Sequence, residues 1–309
     1  MSIIRIEDIA HVRFRAPDLD AMETFLSEFG LVRAQYDDNH LFMRGLGAAH
    51  FVHATEKGEA GFAGLGLRAE SRTDLHTLAK ALGAPVETLD APGGGHVVRL
   101  TDPDGFAVEV VAGQQPAAAL PAPSREASND ARRHDRLNQL KRVAAGPAHV
   151  LRLGHCVLNV SNFRASESWY KERFGFITSD ELYAGPKENV LGAFLRCDRG
   201  PKPTDHHTLF LAGFGAAKFN HAAFEVVDMD DLMAGNAWLA TKERRHEWGV
   251  GRHILGSQIF DYWRDPWGHT VEHWTDGDLL DAAWGSHSTP IGDLLGLQWG
   301  PPMPPTMGQ

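Results

Sequence analysis

Three anchor segments occur twice in this chain, in the same order. Ile9, Ala10, His11 and Val12 correspond to Leu153, Gly154, His155 and Cys156. Glu28, Phe29, Gly30 and Leu31 correspond to Arg173, Phe174, Gly175 and Phe176. Asp102-Pro-Asp-Gly-Phe-Ala-Val-Glu109 corresponds to Asp265-Pro-Trp-Gly-His-Thr-Val-Glu272. An ordered repeat of this kind implies an internal duplication, so the chain is expected to fold as two copies of one unit. With 309 residues, 43% hydrophobic and 23% charged, the chain is long enough for two domains with good cores.

Each copy reads as a strand, an amphipathic helix and then several strands. Apolar residues at helical spacing place helices over Leu19–Phe29 and Phe163–Phe174, and Gly30 and Gly175 stop them as glycine does at a left-handed cap. The strands are short and separated by turn-forming stretches at residues 91–95, 102–105 and 265–268. The expected class is α+β, with a curved sheet and flanking helices in each copy. Residues 1–112 form the first domain. Residues 113–148 open in proline- and alanine-rich sequence and continue into a basic, helix-compatible run at 131–143, which reads as a linker with a basic helix. Residues 149–276 form the second domain. Residues 277–309 are a tail with no strand pattern, although Trp284 and Trp299 point to packing on the body.

A formal net charge of −10 disfavours nucleic acid and anionic membrane as partners, because both require clustered positive charge. No segment approaches the roughly 20 apolar residues that cross a bilayer, and the first residues lack a signal-peptide core, so a cytoplasmic location is expected. Cys156 and Cys197 are the only cysteines, too few for a disulfide framework or a thiolate cage. Any metal must then rely on nitrogen and oxygen donors, and a small molecule is the expected partner.

Such donors stand out in the second copy. His155, His221 and Glu272 each sit in a run that reads as a buried strand. Two imidazoles and one carboxylate are the set that holds divalent iron on one face and leaves the opposite face open. Taken singly, a histidine on a buried strand is more often a hydrogen-bonded core residue. Glu272 is harder to explain that way: with Val271 and Trp274 beside it, a buried carboxylate needs a cation or several donors. The first copy serves as an internal control. It keeps His11 and Glu109, but in Phe62, Ala63, Gly64 it has glycine where Phe219, Asn220, His221 has the middle ligand, so it is expected to have lost its metal.

On these residues the chain resembles the type I extradiol ring-cleavage dioxygenases of the vicinal oxygen chelate superfamily, over nearly its whole length. The resemblance implies two domains, each of paired βαβββ modules forming a curved barrel-like sheet, with the active site only in the second. It implies Fe(2+) held by His155, His221 and Glu272, with Mn(2+) also accepted by those ligands. It implies an acid/base histidine in the stretch Asp205-His206-His207-Thr208, where the comparison favours His207 over His206. It further implies that His253 of Gly251-Arg252-His253, followed nine residues later by Tyr262 and ten after that by Glu272, hydrogen-bonds the substrate oxygens together with Tyr262. Val157 and Leu255, two residues beyond His155 and His253, are candidates for lining the aromatic pocket.

The implied substrates are an ortho-dihydroxylated aromatic ring and O2, the implied product a muconic semialdehyde-type acid, and the implied assembly a homo-oligomer. Leu255-Gly-Ser-Gln258 stands where many biphenyl-diol enzymes have an Asn-Asp pair, and residues 256–263 are similar to the branch containing trihydroxytoluene oxygenase. The competing expectations are a glyoxalase-like metal-dependent lyase or isomerase, and a non-catalytic binding protein of the bleomycin-resistance kind.

Overall fold

The computed structural model describes residues 2–123 and 127–307; positions 1, 124–126, 308 and 309, which fall in the first segment, the linker and the tail, lie outside the described residues. The first half runs β1 (Ile6–Ala16), α1 (Leu19–Phe29), β2 (Val32–Tyr36), β3 (His40–Arg44) and β4 (His53–Lys57). It continues β5 (Gly61–Ala69), α2 (Arg72–Leu82), β6 (Glu87–Thr88), β7 (His96–Thr101) and β8 (Ala107–Ala112). The second half begins β9 (Val150–Asn159), α3 (Phe163–Phe174), β10 (Phe176–Tyr183), β11 (Val190–Cys197), β12 (Thr204–Asp205) and β13 (Leu209–Ala212). After these come β14 (Lys218–Val226), α4 (Met229–Thr241), β15 (Arg245–His253), β16 (Ile259–Arg264) and β17 (Thr270–Thr275). Each half is thus a pair of βαβββ modules, with the two-residue β12 added to the first module of the second half, and the class is α+β.

The two sheets match strand for strand. The first has the order β2-β3-β4-β1-β5-β8-β7-β6, and the second has β10-β11-β13-β9-β14-β17-β16-β15 at its centre. In both, the first strand of each module pairs parallel with the last, and the two modules meet antiparallel at their first strands.

Helices α1 and α3 have the residue bounds that their apolar spacing predicts. Asp18 and Asn162 cap their N-termini by accepting from the backbone, and Gly30 (φ +108°) and Gly175 (φ +70°) end them in the left-handed region.

The halves share one core. Alternate residues of β9 divide between its two faces: Cys156 and Leu158 are buried in a cluster that also holds Val12, Phe14 and Phe29 of the first half, while His155, Val157 and Asn159 face a cavity. Phe14 meets Phe219 edge-on at 5.1 Å, Phe62 stacks on Phe219 at 4.5 Å, and Phe29 stacks on His273 at 3.8 Å. Polar ties cross the same seam: His273 Nε2 donates to the Phe29 carbonyl (2.6 Å), and the Tyr170 hydroxyl donates to Asp102 (3.1 Å).

Two expectations are corrected. The basic run 131–143 forms no helix; it is irregular, with Leu137, Leu140 and Val143 all exposed. A short segment without an apolar face to bury cannot repay the cost of nucleating a helix. The tail, in contrast, forms strands: β18 (Leu279–Leu280) pairs with β12 in a separate two-stranded sheet, while β19 (His287–Pro290) extends one edge of the second sheet along β10 and β20 (Leu297–Trp299) extends the other along β15. Between the last two lies α5 (Ile291–Leu295). Among the described residues no helix is long and apolar enough to cross a membrane.

All eight tryptophans lie in the second half, so their fluorescence follows that half alone. Because Phe14 of the first half is fully buried in the shared core, Phe14→Ala is expected to lower stability by about 3–5 kcal/mol. Urea unfolding followed by tryptophan fluorescence should register that loss in a single transition. A tryptophan transition left unmoved would show that the two halves unfold independently.

Candidate metal centre

The site is assembled on three adjacent strands of the second sheet. His155 on β9 pairs in register with Ala223 of β14, and Ala223 pairs with Glu272 of β17. Strand β14 carries a register shift between Phe219 and His221. Through this bulge Phe219 packs toward the first half while Asn220 and His221 both reach the cavity. His155 Nε2 and His221 Nε2 each lie 3.3 Å from Glu272 Oε2, and the three candidate ligand atoms fall within 4.8 Å of one another.

Glu272 is completely buried, and neither of its carboxylate oxygens has a hydrogen-bond partner among the described residues. Burial alone pushes its carboxyl up, and the adjacent His155 and His221 imidazoles reverse this, holding it well below the usual carboxylate range. Burial also pushes the His221 imidazole down, toward the neutral form that a metal ligand takes. His221 Nδ1 lies 2.8 Å from Asn220 Oδ1, which can only accept, so Nδ1 carries a proton and Nε2 is the nitrogen that faces the cluster. Asn220 is oriented in turn by donating to Asn159 (3.1 Å). A divalent cation fits this donor set: two nitrogens and one carboxylate oxygen converge, and the orphaned buried charge is the group that a cation would satisfy.

Above the cluster is a cavity of about 280 Å³. Val157, His207, His253, Leu255 and Tyr262 all line it, together with His155 and His221. The His207 ring centroid is 4.1 Å from that of His155. Burial, followed by the neighbouring imidazoles, pushes the His207 imidazole well below its ordinary value, so it is neutral. His206 lies behind His207, off the cavity. Tyr262 pairs in register with Glu272, and its hydroxyl is 3.0 Å from His253 Nε2. Burial, then the Glu272 charge, pushes the Tyr262 phenol well above its usual range, and burial pushes His253 down to about 4.

Sequence reasoning missed the tail's contribution: Asp293, Leu294, Met303 and Met307 close one side of the cavity. Nothing in their spacing marks them, because the pairing that places them is with distant strand edges. It also missed Asn220, although its position beside a candidate ligand was a usable signal.

The same positions in the first half hold a different arrangement. His11 pairs with Gly66 and Gly66 with Glu109, so these two side chains stand as His155 and Glu272 do. Arg13, two residues beyond His11, pairs with Gly64, as Val157 pairs with His221. The Arg13 guanidinium donates to Glu109 Oε1 at 2.6 Å, Arg99 donates to the same oxygen at 3.1 Å, and His11 Nε2 lies 2.9 Å from Oε2. A side chain at Gly64 is excluded on two counts: φ is +147°, and its Cβ would lie 2.4 Å from the Ala107 carbonyl oxygen. Burial works to raise Glu109, but His11, Arg13 and Arg99 outweigh it and hold the carboxyl down at about 2.

Residues 152–273 match the model of the Glyoxalase/Bleomycin resistance protein/Dioxygenase superfamily. Over 304 residues the chain is 28% identical to metapyrocatechase 2 of Cupriavidus necator, covering 97% of this chain and 90% of that protein. Two solved structures share the fold. One is the Mn(II)-bound glyoxalase of Novosphingobium aromaticivorans, with TM-score 0.77, 24% identity and coverage of 99% of this chain and 98% of that one. The other is homoprotocatechuate 2,3-dioxygenase of Brevibacterium fuscum in complex with 3,4-dihydroxyphenylacetate, with TM-score 0.81, 20% identity and coverage of 99% and 92%.

The geometry predicts one tightly bound divalent ion per chain. Elemental analysis should find it abolished in Glu272→Gln and retained in Glu109→Gln. The second variant should alter acid stability instead. Because the folded value of Glu109 lies near 2, below its ordinary 4.5, the stability it contributes is complete above pH 4.5 and is lost as the pH falls toward 2. Glu109→Gln should therefore flatten the acid limb of the urea midpoint plotted against pH.

Proposed function

We propose that this protein is a metal-dependent extradiol dioxygenase that opens an ortho-dihydroxylated aromatic ring beside its hydroxyl groups with O2, giving a muconic semialdehyde-type acid. The observation that carries the reading is convergence on one cavity: a three-donor face below, and His207, His253 and Tyr262 facing it. Similarity to a metapyrocatechase along nearly the whole chain supports it. Two histidines and one carboxylate are the facial set of non-haem ferrous oxygenases, so Fe(II) is the proposed ion; Mn(II) suits the same donors. Held by His155, His221 and Glu272, the ion would supply Lewis acidity toward a bound hydroxyl and the redox capacity to couple a diol to O2.

The protein's own groups then divide the remaining work. Neutral His207 accepts a proton from a substrate hydroxyl and later returns it. Tyr262, kept as a phenol, and neutral His253 form a fixed pair 3.0 Å apart beside the donor face, placed to stabilise negative charge on the substrate oxygens. Val157, Leu255, Phe194 and Trp248 supply apolar walls for a ring. No lysine or arginine lines the cavity among the described residues, and Asp293 sits at its wall. A substrate carboxylate would be desolvated there without a partner, so a neutral diol is the proposed substrate class.

Protein loaded anaerobically with Fe(II) should consume one O2 per diol and form a coloured ring-opened product. Catechol, substituted catechols and trihydroxybenzenes should be preferred in kcat/KM over 3,4-dihydroxyphenylacetate, on the order of tenfold or more. His207→Gln should keep its metal and lose kcat by roughly 10²–10⁴-fold. A glyoxalase-like isomerase would turn over without taking up oxygen, and that result, with no oxygen uptake from any diol, would replace this reading.

A further inference from the structure

His207 does not stand alone. Its Nδ1 lies 3.1 Å from Nδ1 of His206, and His206 Nε2 lies 2.7 Å from Asp180 Oδ2 on β10. The other Asp180 oxygen accepts from the Thr289 hydroxyl at 3.0 Å, and Thr289 belongs to the tail strand β19, which runs along β10 in register. Both histidines are buried, and Asp180 is mostly so. His206 is pinned further by its backbone: its N–H donates to the Asp278 carbonyl at 3.0 Å, and its carbonyl accepts from the Ser179 hydroxyl. Gly256, at φ +75°, passes so close that a Cβ there would lie 3.1 Å from His206 Nδ1.

The donor and acceptor inventory of this chain has few solutions. A carboxylate only accepts, so His206 must carry a proton on Nε2. With that one proton His206 has a bare Nδ1, which only accepts, and the contact between the two Nδ1 atoms then has His207 place its own proton there. The remaining nitrogen of His207, Nε2, has no hydrogen-bond partner among the described residues and belongs to the ring that lines the cavity. It is left with a free lone pair.

We propose that Asp180 and His206, locked by Thr289 of the C-terminal tail, are positioning residues that fix His207 as the Nδ1–H tautomer and so present a bare Nε2 to the cavity as proton acceptor. The proposal rests on the reading of His207 as the acid/base group. When Nε2 takes a proton from a substrate hydroxyl, the resulting imidazolium keeps its Nδ1–H bond to His206, and the Asp180 carboxylate lies two hydrogen bonds away to balance the new charge. No further proton has to move, and return of the Nε2 proton restores the starting state.

The tautomer is directly measurable in the metal-free protein. Long-range 1H–15N correlation of 15N-histidine-labelled protein, with the His207 ring assigned by its disappearance in His207→Gln, should show a protonated Nδ1 and a bare Nε2. His206→Asn retains an acceptor oxygen close to the position of Nδ1 and should preserve that pattern. His206→Phe removes the acceptor and should mix or reverse it. In Fe(II)-loaded protein, His206→Phe and Asp180→Asn should lower kcat on the order of 10–100-fold with KM and metal content little changed, and His206→Asn should recover most of the loss. Wild-type His207 carrying its proton on Nε2 would overturn the proposal, as would a His206→Phe protein with wild-type tautomer and kcat. If a substitution prevents folding, the wild-type spectrum alone still decides. Failure of the dioxygenase reading would instead appear as absent oxygen uptake alongside the expected tautomer.

Discussion

A buried carboxylate with no hydrogen-bond partner among the described residues is the constraint around which the second half of this protein is organised. Glu272 lies at the centre of a sheet, fully enclosed, and an unpaired charge in such surroundings is costly unless a cation stands beside it. The fold contains this problem twice and solves it in two ways. In the first half Arg13 reaches in from the strand that carries His11 and, together with Arg99, neutralises Glu109 from within the chain. In the second half the residue equivalent to Arg13 is Val157, too short and apolar to do so, and His221 supplies a second nitrogen instead. One arrangement is closed by a guanidinium; the other leaves three donors that an ion from outside would complete.

Much of this was legible in the sequence, because the features concerned are local or repeated. Helix bounds at Leu19–Phe29 and Phe163–Phe174 follow from apolar spacing and a terminal glycine, both of which act within a few residues. The triad His155, His221 and Glu272 could be picked out because the first copy supplied a comparison in which one member is glycine. The structure brings those three together, along with His207, His253, Tyr262, Val157 and Leu255 around one cavity.

What escaped the sequence depends on distant partners. The tail carries no strong strand pattern, since β19 and β20 are short and owe their order to the sheet edges they meet. Arg13 gave no sign of its role, because charge at a strand position reads as solvent-facing until the opposing carboxylate is located. The basic run at 131–143 failed in the opposite direction: its composition permits a helix, but its apolar residues Leu137, Leu140 and Val143 stay exposed. Residue spacing alone does not separate His206 from His207; the family resemblance favours His207. The cavity lining and the position of Asp180, brought alongside by β10, separate the one that faces the cavity from the one behind it.

The common core gives the two faces of strand β1 different histories. Its inner face, with Val12 and Phe14, is pressed against the second half and constrained by that packing. Its outer face carries an arginine–glutamate pair where the second half gathers its candidate ligands, and that difference touches nothing the other half packs against. A repeated unit can therefore keep one shape while the chemistry of a single face differs between its copies. The first copy serves as a foundation, held fast on the side its twin leans against and unconstrained by it on the side that faces its own cavity.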